Sequence, residues 1–305
     1  MKNLKGYIYG IVTSMTFGLI PLFTLPLMRK GMEYDSILFY RFLFAAAALA
    51  AMLKITGQSY RIAWRDVPVI ILLGCFYTMS SMFLFWGYDF MGAGLATALH
   101  FTYPVFVTLF MFFIFREKTS WVTWMAIFLA ICGVTLLSVK GGDMSLAPAG
   151  IVVVLLSAVG YGGYITAANK SRVSNMNGRK LAFYVFIVST VLFAVKASLS
   201  GGIQKIPDIS SGVNLALLAV VPTVISNITL LISVRNIGGT MTSILGAMEP
   251  VTAVAVGTLI FSERFTLQDF AGVMVIIAAV TLIILSDSIS KTFSGLFRRF
   301  RPRHA

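Results

Sequence analysis

Ten runs of mainly apolar residues succeed one another along the chain, at 6–27, 34–54, 67–88, 92–115, 120–139, 148–168, 180–200, 212–235, 239–261 and 266–286. A helix crosses the hydrocarbon core of a bilayer with about 20 such residues, so each run predicts one transmembrane helix. The stretches between several of them, such as 28–33, 116–119 and 262–265, hold only a few residues and force neighbouring spans to run antiparallel. The runs lack the two-residue alternation of transmembrane barrel strands. Composition agrees: 11% of the 305 residues are charged, against about 25% in a soluble domain. An ordinary globular enzyme and a nucleic-acid-binding module are thereby excluded, and no stretch remains for a second, soluble domain. Cys75 and Cys132 each lie inside an apolar run, so neither a disulfide framework nor a thiolate metal site is expected.

The formal net charge of +13 takes its meaning from where it lies. With the N-terminus in the cytoplasm, that side receives Lys2, Lys5, Lys54, Arg61, Arg65, Arg116, Lys118, Lys170, Arg172, Arg179, Lys180, Arg235 and the basic tail. The opposite side receives Arg29, Lys30, Lys140, Lys196, Lys205 and Arg264. A bias of about three to one follows the positive-inside rule and places both termini in the cytoplasm of a cell membrane. The first run is too long for a signal-peptide core and is expected to be retained. In the tail, Phe293, Leu296, Phe297 and Phe300 recur at helical spacing among arginines. That pattern predicts a basic amphipathic helix on anionic lipids, with a frayed solubilising tail as the alternative.

A shift of 146 residues lays Gly92–Leu136 on Gly238–Leu282 without a gap. Pro104 then meets Pro250, Ile114-Phe115 meets Ile260-Phe261, Glu117 meets Glu263, and Lys118 meets Arg264. Upstream the match is weaker, with Phe17-Gly18 opposite Tyr161-Gly162. Leucine-rich spans match by chance, but a proline, a glutamate and a basic neighbour in register rarely do. The chain therefore divides into repeats at 1–143 and 144–287, with a tail at 288–305. Each half holds five spans, an odd number, so the second copy enters the bilayer in the opposite sense. Inverted repeats of this kind recur in secondary transporters, where the halves surround a site near the midplane. The fold expected is all-α, with ten transmembrane helices in two inverted five-helix repeats.

With these residues the chain resembles the ten-helix branch of the drug/metabolite transporter superfamily, built from two EamA-type domains. The likeness covers about 6–285 and rests on Pro104…Phe115-x-Glu117-Lys118, its copy Glu249-Pro250…Phe261-x-Glu263-Arg264, and Tyr40-Arg41-Phe42. His100 and Tyr103 depart from the apolar or small residues that many relatives carry. The resemblance implies a helical basket opening alternately to each side and moving amino acids, other metabolites or drugs, usually outward.

Ionisable groups inside a span are costly against lipid and normally face the protein interior, so they mark candidate sites. Glu249 lies mid-span before Pro250, which cannot donate to the carbonyl of Gly246 and is expected to leave that acceptor free. Such freed groups are tolerated only against protein or a water-filled cavity. Glu249 is thus positioned to bind a substrate ammonium or to carry a proton, or else serves as a structural glutamate. His100 precedes Pro104 by four residues, with Tyr103 on nearly the same face. Arg41 selects a carboxylate or phosphate if it points inward, but two turns from its helix end it is expected to snorkel or clamp carbonyls. Tyr77, Ser81 and Trp86 in span three, Tyr161 and Tyr164 in span six, and Asn227 in span eight complete the expected lining. Ser80 and Thr223 are further polar candidates. Pro104, Pro222, Pro250 and Gly18 are candidate hinges. Asp89 reads as a boundary residue, Glu117 and Glu263 as solvated ion pairs or helix caps, and Thr266 with Asp269 as a capping box.

These features favour a secondary transporter, most simply an exporter of small polar or amphipathic metabolites, driven by the substrate gradient or by protons. A small-molecule substrate and bilayer lipids are the expected partners, with no nucleic acid; the oligomeric state is left open. No Walker A segment occurs, so no ATP hydrolysis and no cofactor are expected. An intramembrane lipid-modifying enzyme would need a clustered metal or acid–base set, for which two histidines and loop-borne acids are poor material. A scaffold or channel would need a partner domain or a repeated polar stripe.

Overall fold

A computed structural model describes residues 2–116, 119–138, 148–246 and 248–299. In the first half, α1 (Lys2–Gly18) and α2 (Ile20–Arg29) form the first span, α3 (Tyr34–Ile55) the second and α4 (Val67–Met91) the third. The fourth is split into α5 (Ala93–His100) and α6 (Tyr103–Phe113), and α7 (Trp121–Ser138) is the fifth. In the second half come α8 (Pro148–Lys170) and α9 (Gly178–Leu199). There α10 (Ile209–Ala219) runs through a π-helical turn at Val220–Ile225 into α11 (Ser226–Leu245). The chain ends with α12 (Met248–Leu259) and α13 (Leu267–Arg299). Seven described segments are long and apolar enough to cross a membrane, and the shorter apolar helices at 121–133, 248–259 and 267–282 fall in spans five, nine and ten.

One expected boundary lies inside an unbroken helical run. The sequence separates spans eight and nine near 236–238, whereas the backbone stays helical through Leu245. A straight helix would place Ser233 and Leu245 about 18 Å apart. Yet a Cβ on Gly10 would lie 2.8 Å from Ser233 Oγ and 2.5 Å from Leu245 Cδ1. The chain therefore doubles back between them: Gly6 lies against Asn236 and Ile237, Gly10 against both Ser233 and Leu245, and Gly18 against Glu249, so the end of α11 already runs in the direction of span nine and the turn falls near the expected boundary. In the first half the same register is marked by Gly92, whose φ of 77° ends α4 and starts α5.

The packing carries the signature of an inverted duplication. Span two packs on span seven, four on nine and five on ten, each pairing being its own image when the halves are exchanged. Span one packs on eight, and its image is the packing of six on three. Every one of these pairs is antiparallel. Asp35 at the start of α3 pairs with Lys196 at the end of α9, and Gln268 at the start of α13 donates to the carbonyl of Leu136 at the end of α7. The loops repeat as well: among the described residues, the two non-glycine residues with positive φ are Arg116 (55°) and Ser262 (57°), which match under the 146-residue shift. Because left-handed backbone is unfavourable for side-chain-bearing residues, the shared geometry reflects a shared loop design.

Small residues set the closeness of the pairs. Along α8, a Cβ on Gly160 would lie 3.0 Å from the amide nitrogen of Ser80, and one on Gly162 would lie 3.0 Å from Phe106 Cβ. Large apolar side chains such as Trp121, Phe128, Ile131, Val152 and Val195 point away from the bundle, as a lipid-facing surface requires. Thr266 and Asp269 form the expected capping box of α13, with Asp269 Oδ2 accepting from the Thr266 amide at 2.9 Å. The backbone of α13 is helical through 293, 296 and 297, while Phe300 and Glu117 lie outside the described residues.

Candidate functional site

Four interruptions of helical regularity converge on one place. Span one breaks at Leu19, where Pro21 starts α2. Span four breaks at 101–102, with Pro104 in the first turn of α6. Span nine begins again at Met248 with Pro250 in its first turn, and span eight carries Pro222 in its π turn. A Cβ on Gly18 would stand 2.6 Å from the carbonyl oxygen of Glu249, so a glycine there lets span one reach the break in span nine.

The freed backbone acceptors are largely covered. The carbonyl of Gly246, expected to be open, accepts from the amide of Glu249 at 2.9 Å, because a tighter turn replaces the bond Pro250 cannot make. Pro222 likewise cannot serve the carbonyl of Leu218, and the Thr223 hydroxyl donates to it at 3.0 Å. The Thr223 oxygen in turn accepts from Arg41 Nε at 3.0 Å. Arg41 is 3% exposed and turns inward, contrary to the snorkelling expected from its position. Its guanidinium lies 5.4 Å from the ring centre of Phe42 and 5.8 Å from that of Phe85. The bond and the two ring faces hold the cation, and reaching the interface would forfeit them.

Around these breaks lies a chamber of about 40 Å³ lined by Arg41, Ser80, Ser81, His100 and Glu249, with Phe17, Ile20 and Leu84. Tyr77 and Tyr161 complete it, and together with Phe17 and Glu249 they also line a cavity of about 910 Å³. Tyr103 and Tyr164 belong to this larger space, as do Pro104 and Asn227. Its aromatic wall is edge-on, with ring centres 4.7 Å apart for Tyr103 and Tyr161 and 5.0 Å for Tyr77 and Tyr164. Among the described residues the Glu249 carboxylate makes no hydrogen bond or ion pair. His100 is held by a 2.9 Å contact between Nδ1 and the Ser157 hydroxyl.

Trp86 is the expected lining residue that the fold does not bring in. It is 38% exposed and packs on Phe83 and Phe90. Nine residues after Tyr77, at about 100° per residue, it falls on the opposite face of α4. Tyr77, Ser80, Ser81 and Leu84 form the inward stripe. The sequence reading missed Thr13 and Ser14 in α1, and Ser157, which precedes Tyr161 by four residues and Tyr164 by seven. That helical spacing is the signal that would have found it.

The larger cavity extends to one end of the bundle, where Asn169, Ser174, Asn175, Asn177 and Arg179 line it around the α8–α9 connection. The other end is strapped shut. Glu263 accepts from the amides of Ala93 at 2.8 Å and Gly94 at 3.1 Å, capping α5 from the opposite half. Lys30 pairs with Asp208 at 2.8 Å. Asp208 also caps α10 through the Ser211 amide, and Lys30 with Ser211 holds its carboxyl down at about 2. Arg29 donates to the carbonyl of Phe261 at 3.4 Å and lies over its ring. Among the described residues no group of three or more potential metal-ligating side chains converges.

Known proteins agree with this architecture. The EamA-like transporter family matches residues 4–139 and 148–285. The chain is 24% identical to "Uncharacterized transporter YdfC" of Bacillus subtilis over 288 residues, covering 91% of this chain and 92% of the relative. It is 23% identical to "Uncharacterized inner membrane transporter YedA" of Escherichia coli K12, covering 85% and 82%. A solved crystal structure shares the fold with a TM-score of 0.67 at 17% identity, over 97% of this chain and 99% of that one. The chain therefore belongs to the EamA-like transporter family of the drug/metabolite transporter superfamily, and is a multi-pass membrane transporter and not an enzyme.

Proposed function

We propose that the protein exports small polar or amphipathic metabolites, amino acids first among them, by alternating access. The observation that carries this reading is the unpartnered Glu249 carboxylate in a cavity that reaches one end of the bundle while the other end is strapped. Repeats 1–143 and 144–287 rock against each other about Gly18, Pro104, Pro222 and Pro250. Both termini lie in the cytoplasm, so the open end at the α8–α9 connection faces the cytoplasm and takes up cargo there. The basic tail, 288–305, rests on anionic lipids of the inner leaflet. Arg41 supplies donors for a carboxylate, Glu249 an acceptor for an ammonium, and the tyrosines an apolar wall. Either the substrate gradient drives transport, or Glu249 and His100 exchange protons with it.

Flux of amino acids in proteoliposomes tests the reading. Glu249→Gln is expected to abolish transport or strongly alter its pH profile while membrane insertion stays intact. Wild-type flux across pH in that variant removes Glu249 from the mechanism. Cysteines at 141 and 178 test orientation, since only the first is expected to react with an impermeant reagent from outside sealed cells.

A further inference from the structure

Ser157 is fully buried in α8 and has a single hydroxyl proton to give. Its oxygen lies 2.7 Å from the carbonyl oxygen of Ser80, an atom that can only accept, so the proton is spent there. The 2.9 Å contact with His100 Nδ1 must then run the other way, with Nδ1–H donating to the Ser157 oxygen. A neutral imidazole has one N–H, so Nε2 carries a bare lone pair. Among the described residues Nε2 has no hydrogen-bond partner, and His100 lines the small chamber together with Glu249. Two acceptors without protein donors therefore share a space of about 40 Å³.

We propose that Ser157 locks His100 as the Nδ1–H tautomer, so that Nε2 and the Glu249 carboxylate form a two-acceptor subsite for a protonated amine bearing at least two N–H bonds. The proposal rests on the chamber being the substrate site and adds a chemical requirement to it. Charge alone does not satisfy the subsite: a quaternary ammonium cancels the charge of Glu249 but offers Nε2 nothing. Arg41, also on the chamber, presents only donors and is available to an anionic or carbonyl group of the same ligand. Ser157 acts as a positioning residue, setting which ring nitrogen is bare.

The test compares binding of 2-phenylethylammonium and its N,N,N-trimethyl derivative to the full-length protein in lipid nanodiscs, the phenyl ring being matched to the tyrosine wall. The primary amine is expected to bind about tenfold or more tightly, the worth of a hydrogen bond to a charged group. Ser157→Ala is expected to lose most of that preference while leaving the trimethyl affinity unchanged. Steric exclusion alone would leave the preference intact in that variant. His100→Gln, which keeps an acceptor near the Nε2 position, is expected to retain it, and His100→Phe to lose it. The chain has two histidines, so with His304→Ala a ¹⁵N-histidine spectrum reports His100 alone. It is expected to show a bare Nε2 in the parent protein and mixed tautomers in Ser157→Ala. A protonated Nε2 in the parent, equal affinity for the two probes, or binding of neither overturns the proposal. The transport reading is judged separately: no amine preference with Glu249→Gln still blocking flux removes the subsite alone, and a clear preference with unaffected flux removes the transport role of Glu249 alone.

Discussion

Replacing Glu263 with glutamine takes away one of two carboxylate oxygens that face the N-terminus of α5. In the structure the two oxygens accept from Ala93 at 2.8 Å and Gly94 at 3.1 Å, and the N-cap residue Gly92 has no side chain to substitute for them. A glutamine aims its NH₂ at one of those amides, leaving that N–H unpaired at a helix start. A hydrogen bond to a charged group is worth about 1.5–3 kcal/mol, and the charge near a helix N-terminus adds about 0.3–1 kcal/mol. The contact is only part-buried, so the low end applies, about 2 kcal/mol, or about thirtyfold in an equilibrium. Glu263 and α5 belong to different halves, so the loss falls on the closed state of the strapped end. The assay is maleimide labelling of Leu95→Cys, a buried position on α5, in a background lacking Cys75 and Cys132. Labelling that samples an open population tracks that population, and a rise of about thirtyfold is expected. Gly257→Ala is expected to act alike without removing charge, because its Cβ would collide with the Glu263 carboxylate. Unchanged labelling in both variants, with thermal stability lowered, would refute the role of this cap in closure and leave it as framework.

Thr223→Val leaves the carbonyl of Leu218 and the Nε of buried Arg41 without their partner; at about 1–3 kcal/mol for each unsatisfied group, the variant is expected to melt several degrees lower, with Thr223→Ser largely restoring it. Gly18→Ala drives a methyl to 2.6 Å from the carbonyl of Glu249 and from Thr252 Cβ, so a loss of about 1–3 kcal/mol and slowed transport are expected from melting and flux measurements. Asp208 is held at about 2 by Lys30 and Ser211, below its unfolded value. Its stabilising contribution is complete above the unfolded value and is lost only as pH falls through about 2. Any pH dependence of flux between pH 5 and 8 is therefore expected to persist in Asp208→Asn.

The architecture was open to sequence reasoning because membrane spans must satisfy their backbone internally and announce themselves by length. The duplication was readable because Pro104, Glu117 and Phe115 recur in one register, and the positive φ at Arg116 and Ser262 shows that loop geometry was copied with them. Tyr77, Tyr161 and Glu249 line the cavities as expected, since a polar or aromatic stripe on one helix face has a direction. What failed were inferences needing a partner helix. Distance from a helix end says where Arg41 could reach, whereas Thr223 and Phe85 from other spans, with the neighbouring Phe42 ring, decide where it points. Trp86 was counted for its chemistry, although its phase relative to Tyr77 already excluded it.

Hydrogen bonding at the four breaks distinguishes framework from site. At three of them a local group takes over from the missing regular bond: the Glu249 amide at Gly246, the Thr223 hydroxyl at Leu218, and the Thr102 amide and hydroxyl at Leu99. Helix α5, exposed at its start, is completed from the other half by Glu263. A fold that completes so many buried backbone groups can complete a carboxylate too, and Glu263 shows that it does. Glu249 is left without such a donor among the described residues, at the one place where all four breaks meet. A carboxylate at membrane depth without a protein donor is costly, which marks the position as functional. On the transport reading proposed above, that donor is a substrate or a proton, and the breaks around Glu249 are where the halves bend to let it in and out.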